Sequence, residues 1–155
     1  ALAQPMIEDL VAAVIAELST IPRSVPPILA VARAHIDMLR SVAAGEVAGL
    51  TPGRVALMLN VLNSSDGLRA AALEARPAPI AADVARRPGV PPGDKRVEVI
   101  TATWAALMLT ACADLRFTPD EVGTAADTMA DAIEQVLALF VEVSAAVVRS
   151  ALPSQ

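Results

Sequence analysis

Tyrosine is absent from the chain, and Trp104, Phe117 and Phe140 are the only Phe or Trp side chains in 155 residues. The aromatic platforms on which single-stranded nucleic acid stacks are therefore missing. Cys112 is the single cysteine, which excludes an internal disulfide and a cysteine-built metal cluster and leaves a buried, inert thiol as the expected state. Lys95 is the only lysine among 12 basic residues, which face 17 acidic ones for a formal net charge of −5. Phosphate is repelled by such a surface, which disfavours nucleic acid as a partner. No Gly-x-x-x-x-Gly-Lys loop, Gly-x-Gly-x-x-Gly turn or His-Glu-x-x-His pair occurs, and the glycines are scattered as helix stops. The longest uncharged run, 99–113, contains Thr101, Thr103 and Thr110 and is shorter than the roughly 20 residues that cross a bilayer. The apolar mean hydropathy leaves membrane contact open but not favoured.

What is present is alanine, with enough Leu, Val, Ile and Met to raise the hydrophobic fraction to 55%. Alanine favours helix and lets helices approach closely, but it supplies little area per residue. The expectation is an all-α bundle of about five helices with a thin core, in one domain. Apolar spacing and Pro/Gly punctuation place helices at about 5–18, 26–44, 52–62, 95–115 and 119–150, with a short piece at 66–75. Residues 76–94 hold Pro77, Pro79, Pro88, Pro91 and Pro92, and read as a proline-rich crossover linker without regular secondary structure. Arg76, Arg86, Arg87, Lys95 and Arg96 give that linker a positive bias, read as solvated.

The last helix has the strongest local signal. Thr118-Pro119-Asp120-Glu121 combines a cap, a proline at the first helical position and a capping-box glutamate. Further along, Val136-Leu137-Ala138-Leu139-Phe140-Val141 leaves no polar stripe. A helix that is apolar all round must be covered on several sides. Leu137, Phe140, Val141, Val143 and Val147 are therefore the candidate interface to a second copy or another protein.

Candidate chemistry is sparse. His35 is the sole histidine, and Asp37 lies two positions away, on another side of the helix. It reads as a partly buried, hydrogen-bonded histidine and not as a general base. Asp127, Asp131 and Glu134 form an i, i+4, i+7 row, but no Glu-x-x-His motif accompanies them. They read as a solvated polar face. No catalytic, cofactor-binding or metal-binding residue is assigned, and the chain is not expected to be an enzyme.

Two functional classes remain. The alanine-rich stretch Trp104-Ala105-Ala106-Leu107 through Ala111-Cys112-Ala113, the turn Arg116-Phe117-Thr118-Pro119-Asp120-Glu121 and the following Ala125-Ala126-Asp127-Thr128-Met129-Ala130 resemble the C-terminal helical region of Mu-like phage DNA circularisation proteins, which are tail or baseplate components. Ala126 stands where that family's arginine is expected, and Gly123 departs from it too. The resemblance covers about 97–152. It implies a non-catalytic structural or assembly protein of which this chain is the C-terminal part; Ala1 in place of an initiating methionine fits that expectation. A cytoplasmic or virion location is favoured, with secretion left open because Ala1-Leu2-Ala3 resembles the small-residue end of a signal peptide. The alternative is a small-molecule-binding or regulatory helical domain, with an apolar pocket lined by Met38, Met58, Trp104, Met108 and Met129. Methionine is also an ordinary core gap-filler.

Overall fold

The computed structural model describes residues 3–152 and is built of seven α-helices and one 3-10 segment, with no strand among the described residues. The helices are α1 (Ala3–Thr20), α2 (Pro27–Ala43), α3 (Pro52–Leu62), α4 (Asp66–Glu74), α5 (Ala78–Arg86), α6 (Lys95–Cys112) and α7 (Ala125–Ala151). The all-α bundle expected from the sequence is the fold. The helices α2, α3 and α5 and the 3-10 segment begin with proline at the first or second position, where the missing N–H costs nothing. Thr51, Ser65 and Asp94 cap α3, α4 and α6 with side-chain oxygens.

The centre of the bundle is α2. Nine of its residues are buried, from Ala30 to Val42, and α1, α5, α6 and α7 all pack on it. Ala30, Ala32 and Ala34 on α2 and Ala126 and Ala130 on α7 are completely covered. Alanine at such positions brings helix axes to the short end of the usual 8–10 Å range. Arg40 then sets how α7 lies on α2. Its guanidinium donates to Asp127 at 2.9 Å, Asp131 at 2.6 Å and Glu134 at 3.3 Å. The acidic row expected to be a solvated face is in fact a clamp on this one arginine.

The proline-rich stretch departs from expectation. Residues 78–86 form α5, which buries Ile80, Val84 and Ala85. Pro77 and Pro79 fall at the cap and in the first turn, where proline is tolerated, and Pro88 follows the last turn. The density of prolines thus marks the two ends of a short helix, not its absence. Arg87 fixes it to α1. With a side chain only 5% exposed, it pairs with Asp83 at 3.0 Å and donates to the carbonyls of Leu18 and Pro22, both at 3.0 Å. Leu18 belongs to the last turn of α1, whose carbonyls have no partner within the helix.

The last helix also starts later than the sequence suggested. Pro119–Thr124 is a 3-10 segment, and the α-helix begins at Ala125. The Glu121 carboxylate accepts from the Thr118 backbone N–H at 2.9 Å, as a capping box requires. Gly53 lets α3 meet this segment closely, since a Cβ there would lie 3.3 Å from Val122 Cγ1. Two asparagines hold the turn before it. Asn60 exchanges two hydrogen bonds with the Phe117 backbone, at 2.9 and 3.0 Å. Asn63, buried, donates to the carbonyls of Cys112 and Leu115 at 2.8 and 3.0 Å.

Two substitutions test these ties by chemical denaturation. Arg87→Ala removes the bonds to Asp83, Leu18 and Pro22, which keep a second partner in Arg86, the Ile21 N–H and the Val25 N–H respectively. It should cost about 1–3 kcal/mol, with Arg87→Lys recovering only part. Asn63→Ala should cost about 1–3 kcal/mol. A loss below about 0.5 kcal/mol in either case would mean that the tie is not made in solution.

Candidate apolar ligand cavity

Alanine draws some helices together, and the bulkier Met and Leu side chains hold others apart. Between them lies a cavity of about 230 Å³. Every helix contributes to its wall: Leu10 and Val11 from α1, His35 and Met38 from α2, Met58 and Leu62 from α3, Ala72 from α4, Ile80 from α5, Trp104 and Met108 from α6, and Met129 from α7. The five residues expected from the sequence, Met38, Met58, Trp104, Met108 and Met129, all face this one space. They come from four helices and are separated by up to 91 positions, from Met38 to Met129. Ile7, Ala75 and Arg76 line it and are themselves exposed, which places its mouth beside the α4–α5 junction.

His35 is the buried polar group of the wall, 6% exposed. Its Nδ1 lies 2.8 Å from the carbonyl of Val31, one turn back on α2. A carbonyl only accepts, so Nδ1 carries the proton. The ring packs against Trp104 with centroids 4.7 Å apart and planes tilted by 48°. Burial pushes the His35 pKa down to about 4, the hydrogen bond to Val31 opposing only in part. The imidazole is therefore neutral at pH 7. Among the described residues, no carboxylate hydrogen-bonds it and no nucleophile is aligned with it. Asp37 is exposed on the outer side of α2.

Cys112 also lines the cavity, and burial pushes its thiol pKa up to about 12, so it carries no thiolate at neutral pH. No group of three or more metal-ligating side chains is assembled among the described residues. No described helix is long and apolar enough to cross a membrane.

The candidate interface residues lie elsewhere. Buried positions on α7 end at Ile133, and Leu137 packs at the edge of the core. Leu137 and Phe140 are half-buried, whereas Val141, Val143 and Val147 are exposed, with Val143 and Val147 at 61% and 62%. The outer half of α7 thus projects by about 20 Å at 1.5 Å per residue. The sequence pattern located this apolar rod but not the cavity's polar pair, His35 and Trp104. The contact between those two rings joins α2 to α6 across 69 positions, and no local spacing encodes it.

His35 should make the fold acid-sensitive. The unfolded chain takes up a proton near pH 6.5, while the folded chain resists until about pH 4. Stability is therefore complete above pH 6.5 and falls through that window, by roughly 3 kcal/mol. His35→Gln should melt with a flatter profile over the same range; identical slopes would show that His35 is not buried neutral. No family model matches this chain, and no curated protein or solved structure matches it at a significant level.

Proposed function

We propose that this chain is a non-catalytic, ligand-responsive helical domain that takes an apolar small molecule into the cavity at the centre of the bundle. One observation carries this reading: Met38, Met58, Trp104, Met108 and Met129, remote in sequence, meet around one apolar space lined from all seven helices. Ligand sites of this kind are concave, largely apolar and lie between helices. Methionine suits them, because its unbranched thioether adapts to guests of differing shape. Passage to the cavity is simplest under α4, which has no buried residue and borders the mouth. A helix with so little buried surface opens at low cost. A regulatory role follows from the same arrangement, since any guest touches residues of the helices that carry the fold.

Trp104 is the only tryptophan and sits in the wall, so it reports binding directly. Naphthalene and similar apolar aromatics should change its emission and raise the melting temperature, with about 2.7 kcal/mol of added stability at a hundredfold excess over Kd. Ala105→Phe, which puts a ring into the space, should weaken both responses. Unchanged emission and melting across a broad panel would remove the basis of the proposal.

A second reading is favoured by the outer half of α7. In an assembly protein, as the phage-tail resemblance implies, this rod is the contact. Leu139, Val143 and Val147, each about 60% exposed, support that reading. Phe140→Asp should then lower the mass measured by light scattering without lowering the melting temperature of the separated chain. A parent protein that is monomeric at high concentration would exclude it.

A further inference from the structure

The cavity wall is largely apolar, and four of its side chains carry polar atoms: Arg76 at the mouth, which donates to the carbonyls of Leu73 and Ala75, Thr101, whose hydroxyl donates to the Val97 carbonyl, and the pair His35 and Trp104. His35 Nδ1 is committed to Val31, and Nε2 has no hydrogen-bond partner among the described residues. The Trp104 indole N–H makes none either, although it belongs to a residue that is 8% exposed. Among the described residues, the one side-chain nitrogen or oxygen both fully sealed and unpartnered is Asn63 Oδ1. His35 Nε2 and Trp104 Nε1 therefore each keep an open side. Both residues line the cavity, so that side is towards it. Buried polar atoms without partners cost free energy, and sites that leave them open discriminate strongly for ligands that fill them.

The tautomer decides what fills them. With the proton on Nδ1, Nε2 offers a lone pair and requires a donor. Trp104 Nε1 is a donor and requires an acceptor. A hydroxyl is the smallest group that satisfies both kinds of atom. A protonated amine is excluded by the cost of burying its charge in an apolar space with no carboxylate in the wall. The rest of the guest is set by the wall. Four methionines and a tilted ring pair suit the edges and faces of an aromatic guest. A cavity of about 150 Å³ holds benzene, so 230 Å³ holds a ligand of about ten non-hydrogen atoms, and somewhat more where it reaches the mouth.

We infer that the cavity selects a neutral aromatic hydroxyl compound, a phenol or naphthol in class, whose O–H donates to His35 Nε2. This rests on the cavity reading above and adds the chemistry of the guest. The test is equilibrium dialysis of the whole chain against three probes that fit the space: 2-naphthol, its methyl ether 2-methoxynaphthalene, and naphthalene. The hydroxyl compound should bind about tenfold tighter than the ether, which keeps the oxygen but cannot donate. His35→Phe should abolish that advantage while naphthalene still binds. Since His35 is the only histidine, its ring nitrogens are assigned without ambiguity in a ¹⁵N spectrum, and this measurement needs no variant. The Nε2 resonance should shift on adding 2-naphthol and stay in place with the ether. Equal affinities for naphthol and ether, with Nε2 unmoved, overturn the hydroxyl inference and leave the cavity as an apolar site. Failure of all three probes to bind overturns both.

Discussion

Everything in this structure depends on the covering of α2. A helix with only a narrow outer stripe, Arg33, Asp37 and part of Arg40, open to solvent can exist only if its neighbours close over the rest. Alanine on α2 and α7 brings those two into close contact, and Arg40 fixes the rotation of one on the other through three carboxylates. These ion pairs are half-exposed and individually weak. Their effect is on register more than on stability, since three acceptors spaced along one helix face suit a single setting of α7. The same economy of side-chain volume has a cost elsewhere. α5 meets both α1 and α6 over α2, and α3 comes in from the side of α7. On their bulkier side chains these helices do not fill the middle, and the cavity is what remains between them.

The loops are held by side chains more than by length. Asn60 and Asn63 tie the α6–α7 turn to the end of α3, and Arg87 ties α5 to the end of α1. In each case a polar side chain meets backbone groups that a helix end or turn leaves open. These polar ties compensate for a core with few large residues.

The helices were legible because their punctuation is local: proline at first turns, Thr51 and Ser65 at caps, glycine at stops. The segment 76–94 was misread because proline was weighed by density and not by position. Read by position, Pro77 and Pro79 open a helix whose Ile80 and Val84 lie one turn apart. The start of α7 was misplaced by six residues because a capping box does not distinguish a 3-10 turn from an α-helical one. For the cavity, the five Met and Trp residues could be gathered by type, since apolar side chains in an alanine-rich chain stand out. The pairing of His35 with Trp104 could not, because it depends on how α2 and α6 cross. Arg40 as the partner of Asp127, Asp131 and Glu134 was hidden for the same reason. The sequence shows a row of acids, and only the packing supplies the cation.

One feature of α7 joins the two ends of the molecule. Met129 stands in the cavity wall, and the same uninterrupted helix runs on to Ala151, beyond the last side chain the bundle covers. Mechanically it is a lever with a short buried arm and a long free one. From Leu137 to its end the free arm is about 20 Å at 1.5 Å per residue, so a tilt of about 5° at the root sweeps the tip through about 2 Å. A displacement too small to disturb the packing around Met129 is thus multiplied into one large enough to make or break contacts at Val143 and Val147.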